Sequence, residues 1–298
     1  MSDQVQISFD AILPPGMAAK AEDLGVKKAN LKAANMFMLA VLAGAFISLG
    51  AIFATTLSSG GMPVTGQDGA AAFSTALPYG VTRLLAGLAF SLGLILVVVG
   101  GAELFTGNNL IVMAWASKKV KFVALLRNWT IVYVGNFVGS IGTVILMFLT
   151  RQYTFGANAV GIAALKTGIA KCELTFVQAV ALGILCNALV CLAVWLTYSA
   201  RSTVDKIVAI IFPITAFVAA GFEHSVANMY FVPYALFIKK FDGKFIEAVG
   251  DKVTHLDHLT WQIFLLNNLI PVTIGNIIGG AVLVAAVYWA IFLRPEKA

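Results

Sequence analysis

Charge is scarce in this chain. Asp, Glu, Lys and Arg make up 11 % of its 298 residues, 14 acidic against 20 basic, a composition that rules out a disordered or highly charged protein. Cysteine is scarce too, with Cys172, Cys186 and Cys191 too few for a disulfide framework, and the last two stand in an apolar stretch as small core residues. Among only three histidines, His255 and His258 share a charged loop with Asp257; a lone H-x2-H is weak ground for a metal, so no metal and no cofactor is expected. The basic residues form no concentrated patch, which excludes a nucleic-acid partner. The first ten residues hold two aspartates and no cation, and no short apolar run ends in a small-residue cleavage site. A cleavable secretory signal is therefore not expected, and the first long apolar segment directs insertion.

Apolar surface is abundant: 60 % of the residues are hydrophobic and the mean hydropathy is +0.91. No single water-soluble core of this length could hide that surface, so the chain belongs in a bilayer. A helix needs about 20 residues to cross ~30 Å of hydrocarbon. Runs long enough lie at 36–57, 84–114, 128–149, 176–198, 207–238 and 263–293, giving six spans. The second and fifth are too long for one upright crossing. Each holds a break with the frame G-x-E-x4-N, at Gly101-Ala102-Glu103-Leu104-Phe105-Thr106-Gly107-Asn108 and at Gly221-Phe222-Glu223-His224-Ser225-Val226-Ala227-Asn228. Each span therefore reads as two half-helices, and paired breaks in two halves point to a transport site.

The repeat extends outward. Phe37, Ala40, Val41 and Gly44 match Phe176, Ala179, Val180 and Gly183, and Asn128, Gly135, Asn136 and Gly139 match Asn268, Gly275, Asn276 and Gly279. Each unit has three spans, and an odd number makes the second unit inverted. The expected fold is all-α, with six transmembrane helices in two inverted three-helix repeats whose second and fifth helices are broken. Gly135-x3-Gly139, Gly139-x2-Gly142 and Gly275-x3-Gly279 bring helices close in lipid. Of the 20 Lys and Arg residues, twelve fall on the side of the termini and eight opposite, which predicts both termini in the cytoplasm. Residues 1–35 read as an N-terminal cytoplasmic segment, with an amphipathic surface helix at 12–33. Residues 36–293 form the membrane domain, and 294–298 a cytoplasmic tail.

A break at mid-membrane leaves backbone NH and CO groups that cost several kcal/mol in hydrocarbon unless they are paired. Glu103, Asn108, Asn109, Glu223 and Asn228 are suited to pair with them, and the glutamates are expected to brace the breaks rather than touch a permeant. His224 is the one histidine inside a span. It either offers an NH or a proton to a carboxylate, removing a charge-burial cost of about 3 kcal/mol, or satisfies its own break. Thr106, the only hydroxyl in 103–109, either meets a permeant or caps the following half-helix. Phe90, Leu94, Leu104, Phe105 and Phe217 surround the breaks in sequence and would form a dewetting constriction.

The strings Phe90-Ser91-Leu92-Gly93-Leu94-Ile95-Leu96, Glu103 to Asn108, Gly221 to Met229 and Asn268 to Asn276 resemble the formate/nitrite transporter family, over nearly the whole chain. The match is closest to the family's bacterial formate channel. The resemblance implies an aquaporin-like protomer and a homopentamer with one pore per protomer. It also implies passage of formate and other small monovalent anions across the bacterial inner membrane, with membrane lipid around it. By matching strings it makes His224 the pore histidine and Thr106 the mobile loop threonine, with constrictions at Phe90, Leu94, Leu104 and Phe217. Asn187 and Lys171 become the polar and basic pore neighbours. Two departures stand out: the stretch Leu57 to Tyr79 is longer than the family norm, and Gly107-Asn108 replaces a serine or threonine pair. Within the family, nitrite or hydrosulfide are alternative cargoes. A neutral-solute pore lacks its Asn-Pro-Ala signatures here, and a membrane enzyme using Glu223 and His224 lacks a second catalytic constellation.

Overall fold

The computed structural model describes residues 10–60, 63–65, 71–74 and 77–295. Helix α1, Pro14–Ala29, opens with proline in its first turn and closes on Lys27 and Lys28, the preferred ends for a helix dipole. The six spans follow: α2 Ala33–Ser58, α3 Tyr79–Gly100, α5 Phe122–Thr150, α7 Phe176–Ser199, α8 Thr203–Ala220 and α11 Trp261–Phe292. Between α3 and α5 lie a 3-10 turn, Gly107–Ile111, and the short α4, Val112–Ala116. Helix α6, Ala159–Cys172, precedes α7, while α9, Ser225–Phe241, and α10, Gly243–Val249, follow α8. Pro63–Thr65 and Ala71–Ser74 pair as a small antiparallel hairpin, and the rest of the 57–79 connection lies partly outside the described residues.

Both expected breaks are present and are built alike. Gly101 and Gly221 each have φ of 78°, the left-handed conformation that glycine adopts without penalty. The next NH reaches five residues back, Ala102 to Val97 and Phe222 to Phe217, each at 2.9 Å. These bonds end α3 and α8 in matching Schellman caps. The chain then crosses as non-helical backbone before α4 and α9 complete the two spans.

The two halves pack by the same contacts. A methyl on Gly139 would strike the Val41 carbonyl and one on Gly279 the Ile184 carbonyl, so backbones of α5 on α2 and of α11 on α7 touch. These matches correct the register read from sequence: α2 and α7 correspond at Phe37 with Val180 and Ala40 with Gly183, one helical turn beyond the F-x2-A-V-x2-G frame. Apolar helices repeat small residues every turn, so string matching slipped by one. Gly142 is a second correction, since nothing lies within 4 Å of its would-be Cβ.

Three helices differ from expectation. The surface helix at 12–33 forms, as α1, but its face of Met17, Ala18, Ala21 and Gly25 is buried, packed in a cluster with Leu110, Ile111, Met113 and Trp195 instead of lipid. Helix α6, unexpected from sequence, is its counterpart: Lys28 ends α1 and Lys171 ends α6. Span six is not a uniform α-helix, because Phe264–Leu269 and Ile278–Ala286 are π-wound.

Candidate functional site

Each break is held by one network, made twice. Glu103 receives Lys28 Nζ at 2.7 Å and Asn108 Nδ2 at 2.7 Å. Glu223 receives Lys171 Nζ at 2.8 Å and Asn228 Nδ2 at 2.6 Å. Asn108 and Asn228 also donate to Asn128 and Asn268, at 2.9 and 2.7 Å. Asn128 and Asn268 in turn donate to the carbonyls of Lys28 and Lys171, at 3.1 and 3.0 Å. Asn136 accepts from the Phe105 NH and donates to the carbonyls of Ala40 and Glu103. Asn276 does the same for Ser225 NH, Gly183 and Glu223. The Phe105 and Ser225 NH groups and the Glu103 and Glu223 carbonyls of the breaks are thereby paired inside the protein.

The repeat stops where the breaks face each other. Thr106 Oγ1 and His224 Nε2 lie 2.9 Å apart, both buried. At the matching positions of the opposite break stand Val226 and Leu104, which are apolar. His224 is also the N-cap of α9: its Nδ1 accepts the Ala227 NH at 3.0 Å. A ring nitrogen that accepts carries no hydrogen, so neutral His224 holds its proton on Nε2, toward Thr106. The ring of Phe217 stacks on the imidazole with centroids 5.9 Å apart, and Phe90 meets Phe217 edge-on at 5.7 Å.

Two cavities flank this pair and share no lining residue. One, of about 340 Å³, is lined by Lys20, Lys28, Leu94, Leu104, Asn108 and Lys206 among others. The other, of about 320 Å³, includes Arg83, Phe90, Lys171, Phe217, Glu223 and His224. Leucines close the first and phenylalanines the second. Cations line both, which raises the local concentration of an anion. In the first, burial and the nearby Lys206 and Arg201 hold the Lys20 ammonium below its ordinary 10.5. In the second, Arg83 caps the end of α8 through the Val218 and Ala219 carbonyls.

The sequence profile described as "Formate/nitrite transporter" matches residues 15–290. The chain belongs to the formate/nitrite transporter family. The formate channel FocA of Escherichia coli is 46 % identical over 289 residues, 97 % of each chain. A probable formate transporter of Methanothermobacter thermautotrophicus is 36 % identical, over 94 % of this chain and 97 % of its own. Among solved structures, a pentameric formate channel with formate bound superimposes with a TM-score of 0.76 at 46 % identity, covering 88 % of this chain and 98 % of that one. An ion channel of the same family gives 0.74 at 26 % identity, over 92 % and 98 %. The chain is thus a multi-pass membrane transport protein of a family of channels and transporters, not of enzymes.

Of the expected site residues, Leu94 and Leu104 line the first cavity, Phe90, Phe217, His224 and Lys171 line the second, and Thr106 meets His224 between them. Phe105 is a correction: its ring packs edge-on against Tyr133 and Trp129, at 4.9 and 6.0 Å, in a groove with Ile270 and Ile274, and lines neither flanking cavity. Phe105 lies in the turn that leads into Gly107–Ile111, and its ring packs away from the Thr106–His224 pair. Asn187 also lines neither cavity. It is fully buried and donates to the Thr106 carbonyl at 3.3 Å and the Asn276 carbonyl at 2.7 Å, and Cys191 Sγ joins it on the Thr106 carbonyl at 3.3 Å. Asn187 positions the loop. Asn109 likewise donates to the Phe105 carbonyl.

Sequence reasoning missed Lys28, Lys20, Arg83 and Lys206, whose cations sit near helix ends and gave no motif. The asparagines of spans three and six were visible in the repeated N-x6-G-N frame, but were read with their glycines as packing. An amide repeated inside an apolar span is the signal that could have found them, because it must have a buried partner.

Proposed function

We propose that the protein is a formate channel that passes formate and related small monovalent anions through each protomer of a homopentamer in a bacterial inner membrane, with both termini cytoplasmic. One observation carries this reading: a neutral hydrogen-bonding pair, Thr106 and His224, stands between two apolar constrictions, each opening to a cavity lined by cations. Lysines draw the anion in, and Leu94 with Leu104, or Phe90 with Phe217, strip its water. The Nε2–H of His224 and the hydroxyl of Thr106 then replace that water for a carboxylate at the narrowest stretch. Because Nδ1 is engaged by Ala227, a second proton on His224 requires opening the α9 cap, which favours hydrogen-bond donation over proton transfer. The resemblance to relatives named for formate supports that cargo over nitrite or hydrosulfide.

The test is anion flux into proteoliposomes across a range of pH. We expect formate to permeate and glycerol to be excluded. Glycerol-driven swelling without formate movement overturns the proposal. Nitrite, hydrosulfide and acetate measured in the same preparation rank the cargoes.

A further inference from the structure

We propose that Glu173, His255 and His258 form a binding site for one divalent transition-metal ion of the zinc class at the C-terminal end of α6. Glu173 is the C-cap of α6, two residues after Lys171. His255 caps and His258 ends a 3-10 turn, Leu256–His258, in the connection from α10 to α11. Folding brings these distant segments to one point: Nδ1 of His255 and Nδ1 of His258 lie 2.6 and 2.8 Å from the same oxygen, Oε1 of Glu173. All three donor atoms fall within 4.8 Å of one another.

Two imidazoles and one carboxylate are a ligand set that zinc takes, leaving a fourth tetrahedral position for water. With metal bonds of about 2.0 Å, tetrahedral donors stand about 3.3 Å apart. For an ion to replace the two Nδ1 hydrogens, both Nδ1–Oε1 spacings must open by roughly half an ångström or slightly more. The histidine side chains are 61 % and 48 % exposed, so they have room to move and an ion can reach them. Asp257 Oδ2 lies 3.6 Å from Nε2 of His258, on the far side of the ring. With a metal on Nδ1, the hydrogen of neutral His258 sits on Nε2, toward the Asp257 carboxylate. The turn itself is anchored: Lys239 Nζ donates to the carbonyls of Leu256 and Leu259, at 2.5 and 2.9 Å. His255 is held with φ of 60°, a conformation histidine tolerates better than most residues.

The H-x2-H spacing alone pointed to no metal, since the third ligand comes from 82 positions away. Calorimetric titration of the purified full-length protein with Zn2+, free of any affinity tag, tests the assignment, with Co2+ absorption reporting tetrahedral geometry. We expect one ion per protomer with release of protons. Binding should be lost in His255→Ala/His258→Ala and in Glu173→Gln, and weakened about tenfold in Asp257→Asn. All three variants should retain metal-free formate flux, which shows that they are folded. No saturable binding to the wild type, or equal affinity in the ligand variants, overturns the proposal.

Discussion

At the residue scale, the site depends on which atom of His224 does which job. Nδ1 caps α9 and Nε2 faces Thr106, so two substitutions separate the roles. Asparagine is a good N-cap and alanine a poor one, a difference of about 1 kcal/mol. We expect His224→Asn to keep the thermal stability of the detergent-purified protein while changing the pH dependence of formate flux. His224→Ala should lose both. An asparagine variant with both formate flux and pH profile unchanged removes the histidine from the permeation step. Asn136 makes a second residue-scale prediction, because its loss strands the Phe105 NH and two carbonyls in a dry interior. Asn136→Leu should destabilise the fold by about 3 kcal/mol or more, seen as a lowered denaturation midpoint.

At the scale of elements, each half is a span, a broken span and a second span held together by glycine contacts and one asparagine–glutamate–lysine network. Among these glycines, Gly139 touches the α2 backbone and Gly142 touches nothing. Gly139→Ala is therefore expected to reduce folded yield and denaturation temperature, and Gly142→Ala to leave both unchanged, as read by size-exclusion chromatography and thermal unfolding. The break network has a similar signature. Lys171→Met leaves the 7 %-exposed Glu223 side chain without its cation, and breaking a buried pair from one side costs about 3–5 kcal/mol. Adding Glu223→Gln should recover most of that stability. Such recovery would show that the lysine's structural role is to neutralise the carboxylate, whatever it also does for the anion.

At the scale of the whole molecule, the two repeated halves meet around a pair of residues that the repeat does not share. Cations line both cavities, and Lys20 loses its proton at lower pH than an ordinary lysine because burial and its cationic neighbours disfavour the charge. Its attraction for anions is thus present at neutral pH and fades as pH rises, before 10.5 is reached. Formate flux should carry an alkaline decline on the Lys20 side that Lys20→Ala abolishes, and raised salt should blunt the difference between the two proteins. A decline that survives the substitution assigns it to another group.

Hydropathy, span length and the paired G-x-E-x4-N frames by themselves determined six crossings, two inverted halves and a break in each second span, because a bilayer penalises unpaired backbone so heavily that few arrangements satisfy such a sequence. Glu103, Asn108, Glu223 and Asn228 were legible as braces for the same reason. Only tertiary structure decided that α2 and α7 correspond one turn later than their strings, that Phe105 turns outward, and that Asn187 holds a loop. Only there do α1 and α6 deliver Lys28 and Lys171 to the breaks. Those outcomes depend on which backbone atoms approach across helices distant in sequence. Local pattern carries the period of a helix, not the rotation and depth at which a partner meets it.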